Sequence, residues 1–134
     1  MIPARTETLP LRTDEDLVRV RQAVRARLVE QKFNLVEQTK MVTAASELGR
    51  NTLVYGGGGS ARLESMADGE QKIVRVTFED HGPGIADIEQ ALTNGFSSGR
   101  GLGLGLGGSK RLVHEFEIWS EPGKGTRVAI TMRK

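Results

Sequence analysis

Glycines beside a single carboxylate form the pattern in this chain that most clearly suggests chemistry. Residues 80–84 read Asp-His-Gly-Pro-Gly, and a second glycine-rich stretch follows over residues 101–108. Glycine has no Cβ, so it adopts left-handed torsions and lets the backbone approach a ligand closely. A carboxylate beside paired glycines, followed by a second glycine run, predicts a nucleotide-binding site, and ATP is the expected ligand.

A second polar pair lies earlier in the chain, at Glu47 and Asn51. Side chains four residues apart lie on one face of a helix, so both point the same way from an otherwise apolar segment. An asparagine oxygen suits Mg²⁺ that phosphates and waters also hold, and a nearby carboxylate can orient a water or accept a proton. A surface glutamate beside a capping asparagine is the structural alternative for this pair.

Asp80 ends a predicted strand, where its carboxylate could accept a hydrogen bond from the exocyclic amine of adenine. The glycines that follow it would leave room for the ring, although the same segment is also good turn chemistry. Farther along, Gly101, Gly103 and Gly105 precede a predicted helix. The free N–H groups and the positive dipole end of that helix favour a phosphate.

Two common glycine-loop patterns fit this stretch poorly. The phosphate-loop pattern ends in Gly-Lys followed by Ser or Thr, whereas residues 103–110 end in Gly-Ser-Lys, which is the wrong order. The dinucleotide fingerprint is formally present at Gly103, Gly105 and Gly108, with Glu121 farther along the chain. It requires a preceding strand, and residues 92–100 are too polar and too rich in glycine to form one.

Two long helices are expected to carry part of this site. Thr13 or Asp14 caps the first, which extends to about residue 31. Its core face consists of apolar residues three and four apart, namely Leu17, Val20, Val24 and Leu28. Asn34 caps the second helix, which spans residues 35–55 and ends at four glycines, 56–59. Because no helix start follows that run, we interpret it as a helix stop and turn.

Strand patterns supply the second layer. Residues 6–12 form an edge strand, because Pro10 cannot donate a ladder hydrogen bond. The other predicted elements are strands at 61–66, 72–80, 116–120 and 126–132, a short helix at 87–92 and a helix at 105–114. Turns at 67–70 and 121–125 join these strands in hairpins. The hairpins favour an α/β fold with a mixed, mostly antiparallel sheet and helices on one face.

Composition limits the class of protein. The 134 residues, 37% hydrophobic and 27% charged, suit one domain over residues 1–134. The chain has no cysteine and no apolar run near the roughly 18 residues that span a bilayer, so we expect a cytoplasmic protein with no membrane partner. A net charge of +2 with only 4% aromatic residues does not favour nucleic-acid binding.

Taken in order, four segments resemble the N box and the three glycine boxes of the GHKL ATPase superfamily of DNA gyrase, Hsp90, histidine kinases and MutL. They are residues 46–51 (Ser-Glu-Leu-Gly-Arg-Asn), 80–84, 101–108 and 123–126 (Gly-Lys-Gly-Thr). The small size, Gly-Phe-Ser at residues 95–97 and Tyr55 at the helix end further resemble the RsbT-type serine/threonine kinases of bacterial stress signalling. Histidine kinase activity is not expected, because no segment could serve as the dimerising helix that carries the phosphoacceptor histidine.

The resemblance implies the two-layer α/β sandwich of the Bergerat ATP-binding fold, with ATP and Mg²⁺ bound. It implies that Asn51 ligates Mg²⁺ and that Glu47 is the catalytic base or orients a water. It also implies that Asp80 reads adenine with help from the Thr126 hydroxyl, and that residues 94–100 form a short lid. The glycines would shape the site, with Gly82 and Gly84 at the base and Gly101, Gly103 and Gly105 at the phosphates.

The activity implied by the resemblance is that of an ATP- and Mg²⁺-dependent serine/threonine kinase. It would phosphorylate a STAS-domain antagonist or scaffold protein and act as a switch between partners. The alternative is a non-catalytic, ATP-gated binding module that sequesters a sigma factor or activates a phosphatase. A nicotinamide-dependent enzyme is a third class, which would require NAD binding that ATP does not displace.

Overall fold

Capping side chains fix where the two long helices begin. The computed structural model describes residues 3–85, 92 and 105–134 of the chain. Helix α1 (Asp14–Glu30) starts after Thr13, whose hydroxyl accepts a hydrogen bond from the N–H of Asp16 at 3.1 Å. Helix α2 (Leu35–Val54) starts with a capping box, in which Asn34 and Glu37 each accept the other's backbone N–H at 2.8 Å. Both helices confirm the sequence prediction.

Five strands form one sheet, and a third helix precedes the last hairpin. These elements are β1 (Pro3–Leu11), β2 (Gly59–Asp68), β3 (Gln71–Asp80), α3 (Gly105–Leu112), β4 (Glu115–Glu121) and β5 (Gly125–Arg133). The strand order is β1-β2-β3-β5-β4, and every pairing between these strands is antiparallel. The antiparallel pattern follows from the two hairpins, β2–β3 and β4–β5. As predicted, β1 lies at an edge, where Pro10 is tolerated.

The core lies between the helices and one face of the sheet. The four predicted core residues of α1 are buried, and they join apolar side chains of α2 and of the strands in one cluster that includes Met41, Leu48, Leu63, Val76, Phe78 and Ile130. The opposite face of the sheet carries polar side chains such as Arg62, Arg75 and Thr77. Trp119 lies on that outer face, 44% exposed, with the Arg127 guanidinium 5.6 Å from its ring centroid. This arrangement confirms the predicted two-layer α/β sandwich.

Gly49 lies in the middle of α2, where glycine costs about 1 kcal/mol relative to alanine. The structure explains its presence, because a Cβ at this position would overlap the Cδ1 atom of Leu17 and lie 3.6 Å from the Phe78 ring. Leu17 is itself buried at 4% exposure and cannot simply rotate into solvent. Gly49 therefore permits close packing of α2 on α1.

Gly49→Ala is expected to destabilise the fold by about 1–2 kcal/mol, because overpacking of the core outweighs the gain in helix propensity. Urea denaturation measures the difference. Lys40→Ala, an exposed change on the same helix, should leave the midpoint almost unchanged. An alanine variant at position 49 as stable as the parent would contradict the packing argument.

Some sequence predictions fall outside the described residues. They are the short helix at 87–92 apart from Leu92, the lid at 94–100, and Gly101 and Gly103. No helix in the described ranges is long and apolar enough to cross a bilayer.

Candidate functional site

Four residues form a row across one end of the sheet. The register pairs Gly59 with Asp80, Asp80 with Thr126, and Thr126 with Ser120, on strands β2, β3, β5 and β4. Residues directly opposite each other in an antiparallel pair present their side chains on the same face. That face is the one covered by the helices, because Asp80 lies two residues after the core residue Phe78. The carboxylate and the two hydroxyls therefore meet on the inner face of the sheet.

The Asp80 carboxylate is nearly buried between the backbones of Gly82 and Gly56. It is 9% exposed, and its Oδ1 atom accepts a hydrogen bond from the Gly82 N–H at 2.9 Å. The backbone of Gly56 lies directly against it, since a Cβ on Gly56 would overlap the carboxyl group. Among the described residues, no group donates to Oδ2 of Asp80. Within the described part of the chain, one carboxylate oxygen is thus fixed by a backbone N–H and the other has no donor.

Two glycines of the predicted base pocket are close to other backbone segments. A Cβ on Gly82 would lie 2.8 Å from the backbone of Gly56, so there is no room for a side chain at Gly82. Gly56 has no room for one either, because of the Asp80 carboxyl group. Gly84 has a φ of 77° and packs against the backbone of Glu121. Pro83, between them, accepts a hydrogen bond from the N–H of Gly123 at 2.8 Å. The turn after β3 is thereby attached to the β4–β5 turn.

Two hydroxyls continue the row beyond Asp80. The hydroxyl oxygens of Ser120 and Thr126 lie 2.8 Å apart. Ser120 Oγ also accepts a hydrogen bond from the N–H of Ile85 at 2.7 Å and donates to the carbonyl of Gly125 at 3.0 Å. Ser120 therefore connects three parts of the site: the Thr126 side chain, the β5 start and the chain that leaves the Asp80 turn.

Glu47 lies on α2 and is only 4% exposed. Burial raises the pKa of its carboxyl group, and the positive charge of the nearby Arg50 partly opposes this effect. No other described residue donates a hydrogen bond to the Glu47 carboxylate. A buried carboxylate with a raised pKa and no hydrogen-bond donor within the described part of the chain is suited to accepting a proton and poorly suited to stabilising the fold.

This setting predicts a dependence of stability on pH. Because the pKa of Glu47 is higher in the folded than in the unfolded chain, its contribution favours folding at acidic pH and is lost as pH rises through the folded value. Glu47→Gln should therefore raise the thermal midpoint at neutral pH, and the gain should shrink as pH falls into the ordinary glutamate range. The exposed Glu117→Gln is the control, with no expected change. A Glu47→Gln protein less stable than the parent at neutral pH would contradict the argument.

Asn51 connects α2 to the sheet end. Its backbone carbonyl accepts hydrogen bonds from the N–H groups of Tyr55 and Gly56 at 2.9 and 3.1 Å. Gly56 in turn lies against Asp80, so the end of α2 and the row of site residues adjoin. The side chain of Asn51 is partly exposed and makes no hydrogen bond with the other described residues.

The phosphate end of the predicted site is described only in part. Gly105 is the first residue of α3, which packs against α2 and buries Leu106. The described residues contain no group of three or more His, Cys, Asp or Glu side chains that could hold a metal. A Mg²⁺ ion held mainly by phosphates and waters needs only one or two protein ligands, which fits a single Asn51 oxygen.

Sequence reasoning missed two residues of the candidate site. Gly56 was interpreted as part of a helix stop, which is correct, but it also makes room for the Asp80 carboxyl. A run of four glycines, longer than a helix stop requires, was the available signal. No sequence signal marks Ser120 as a site residue, because a serine that follows Phe116 and Ile118 on the same face of a strand is common at a strand end.

Comparison with known proteins identifies a family match. A family model described as histidine kinase-, DNA gyrase B-, and HSP90-like ATPase matches residues 36–134, which include all the predicted site residues. Among curated proteins, the chain is 43% identical over 116 residues to the serine/threonine-protein kinase RsbT of Bacillus subtilis strain 168, covering 87% of each chain.

Two solved structures resemble the fold. The first contains the RsbU and RsbW domains of a Mycobacterium tuberculosis protein, with a TM-score of 0.65 and 22% identity over 97% of this chain and 32% of that one. The second is the histidine kinase domain of a blue-light-activated kinase of Erythrobacter litoralis, with a TM-score of 0.53 and 23% identity over 92% of this chain and 60% of that one. At these identities they show a shared fold.

Proposed function

The chain belongs to the histidine kinase-, DNA gyrase B-, and HSP90-like ATPase family and within it to the RsbT-like serine/threonine protein kinases, and from this we propose a specific reaction. The chain transfers the γ-phosphate of ATP to a serine or threonine of a STAS-domain antagonist or scaffold protein. The observation that carries this proposal is Glu47: a buried carboxylate with a raised pKa on the helix that ends beside Asp80.

In the proposed complex, adenine lies over the inner face of the sheet between Gly56 and the β4–β5 turn. The free oxygen of Asp80 accepts a hydrogen bond from the exocyclic amine, and Thr126 contacts the same edge of the ring. The backbone at Gly82 and Gly84 borders the base. The phosphates extend toward Gly105 at the start of α3, where unpaired N–H groups favour negative charge. Gly101 and Gly103 would complete that phosphate site.

The proposed chemistry needs one proton acceptor. The hydroxyl oxygen of the acceptor residue forms a bond to the γ-phosphorus while the bond to the β-phosphate bridging oxygen breaks, so ADP leaves. Glu47 accepts the hydroxyl proton. Its raised pKa brings the carboxylate closer in basicity to the operating pH, which favours general-base catalysis. Phosphoryl transfer otherwise depends mainly on positioning and charge neutralisation.

Mg²⁺ would supply neutralisation of the phosphate charge, and Asn51 is the residue that would hold it. The side-chain oxygen of Asn51 has no other task among the described residues and lies four residues from Glu47 on the same helix face. An amide oxygen is a suitable hard ligand for this ion.

Asn51→Ala is expected to weaken binding of Mg·ATP more than binding of ATP in the presence of EDTA, because it removes a metal ligand and leaves the base pocket intact. Calorimetric titration under both conditions measures the difference. Thr39→Ala, an exposed change on the same helix, should alter neither affinity. Equal losses with and without Mg²⁺ would assign Asn51 to helix packing instead.

The proposed partners are cytoplasmic proteins, and phosphorylation would release one of them so that the chain can engage another. The alternative proposal is a non-catalytic module in which ATP only gates binding to a sigma factor or to a phosphatase. Both versions use the same pocket. They differ in whether phosphate leaves the nucleotide.

A transfer assay separates the two versions. Purified STAS-domain proteins from the same genome are incubated with the chain and Mg·ATP labelled at the γ-phosphate, with Asn51→Ala as the control enzyme. Label on a serine or threonine of one protein, lost with Asn51→Ala, is the expected result. Intact ATP binding with no label on any of them would favour the non-catalytic module.

A further inference from the structure

The hydroxyl group of Ser120 takes part in three hydrogen-bond contacts but has only one proton. Its oxygen accepts from the N–H of Ile85 at 2.7 Å, lies 3.0 Å from the carbonyl oxygen of Gly125, and lies 2.8 Å from the hydroxyl oxygen of Thr126. A carbonyl oxygen can only accept, so the contacts with Gly125 and Thr126 are both hydrogen bonds only if the Ser120 proton lies on the contact with Gly125. No proton of Ser120 then remains for Thr126.

The contact between the two hydroxyls is therefore made by the proton of Thr126. Thr126 donates to Ser120, whose oxygen then accepts two hydrogen bonds and donates one, which fills its capacity. With its only proton engaged, the Thr126 oxygen offers lone pairs alone to any ligand on the inner face of the sheet.

The carboxylate of Asp80, next to Thr126, also offers only hydrogen-bond acceptors. Asp80 is the register partner of Thr126, and its Oδ1 atom already accepts from Gly82 while Oδ2 has no donor among the described residues. An ionised carboxylate accepts hydrogen bonds and donates none. The floor of the base pocket thus presents two acceptors side by side and no donor from either side chain.

We propose that Ser120 is a specificity-determining residue, which holds the Thr126 proton so that the base pocket selects a purine with an amino group at position 6. The inference rests on the proposed binding of adenine in this pocket. A 6-amino group brings two N–H donors to the two acceptors. A 6-oxo purine such as that of ITP brings an oxygen in place of the amino group and only one adjacent donor, N1–H, so at least one of the two buried acceptors is left unpaired.

Nucleotide affinities of the parent chain test whether the pocket offers hydrogen-bond acceptors only. ATP, ITP and the triphosphate of purine riboside, which has no substituent at position 6, are titrated by calorimetry. We expect ATP to bind about 10- to 100-fold more tightly than ITP, the range for one or two lost hydrogen bonds to buried groups. The purine riboside compound should lie between them. Equal binding of all three would overturn the proposal, whereas failure to bind ATP at all would refute the proposed function itself.

Ser120→Ala tests the role of the serine. Removing its hydroxyl frees the Thr126 proton, which can then turn toward the oxygen of ITP, so the ratio of ITP to ATP dissociation constants should fall about tenfold. Loosening of Ile85 alone would weaken both nucleotides equally and leave the ratio unchanged, which is the result that would overturn the proposal. Ser120→Thr, which keeps a hydroxyl, should keep the parent ratio.

Two further variants keep the test decisive. Ser60→Ala makes the same change on the outer face of β2 and should leave the ratio unaltered. If Ser120→Ala does not fold, Ser120→Cys replaces it, because a thiol is a weak hydrogen-bond partner and should also lower the ratio. A parent-like ratio in Ser120→Cys would count against the proposal in the same way.

Discussion

Glu47→Gln is expected to lower the rate of γ-phosphate transfer by about 10²- to 10⁴-fold, the range for loss of a general base. Glutamine has nearly the same shape as glutamate but cannot accept the hydroxyl proton of the acceptor residue. ATP binding should persist, because Glu47 lies on α2 and the proposed base pocket consists of Asp80, Gly56 and Thr126. Single-turnover transfer and calorimetric ATP binding, measured on the same preparation, separate the two effects.

The stability of this variant provides an internal check. Glu47→Gln should be more stable than the parent at neutral pH because burial raises the pKa of the carboxyl group. A residue whose removal stabilises the fold and stops the reaction is retained for chemistry. The exposed Glu117→Gln should change neither property. Phosphate transfer by Glu47→Gln at the parent rate would show that Glu47 is not the general base.

Asp80→Asn is expected to weaken ATP binding by about 10- to 100-fold, because hydrogen bonds to charged groups contribute about 1.5–3 kcal/mol. The asparagine oxygen can still accept from the Gly82 N–H, so the turn is preserved. Its amide nitrogen then occupies the place of the free carboxylate oxygen. Because the amide nitrogen and the adenine amine are both hydrogen-bond donors, no hydrogen bond can form between them. Calorimetry with ATP measures the loss, and denaturation confirms that the fold is retained.

Glu79→Gln is the matched control for Asp80→Asn. Glu79 is the preceding residue on β3, but it lies on the outer face of the sheet, 3.9 Å from Arg127. The same change of carboxylate to amide there should leave ATP binding intact. Parent-like affinity in Asp80→Asn, or an equal loss in Glu79→Gln, would show that the adenine does not contact Asp80.

Much of the fold could be predicted because local signals agree with the tertiary structure. Thr13 and Asn34 are strong N-caps, and the capping box with Glu37 fixes the start of α2 to the residue. The apolar spacing in α1 identifies its buried face. Turn residues mark both hairpins, so the pairing of β2 with β3 and of β4 with β5 follows from the sequence alone.

Contacts between distant segments could not be predicted in the same way. The insertion of β5 between β3 and β4 has no local signal, yet it pairs Asp80 with Thr126. The contact of Gly56 with Asp80 depends on that register and on where α2 ends. The close approach of Gly49 to Leu17 depends in the same way on how α2 packs against α1. The contacts of the Ser120 hydroxyl with Gly125 and Thr126 also depend on the pairing of β4 with β5 at atomic detail.

The central claim is that the chain moves phosphate from ATP to a protein side chain, and a single-turnover reaction tests it most directly. The chain and a STAS-domain partner are held in excess over ATP labelled at the γ-phosphate, and label is counted in intact ATP, free phosphate and the partner. A kinase of this kind passes the label to a serine or threonine of the partner with little free phosphate, which is the expected result. Label that stays in bound, intact ATP while the partner remains associated would contradict phosphate transfer by this chain.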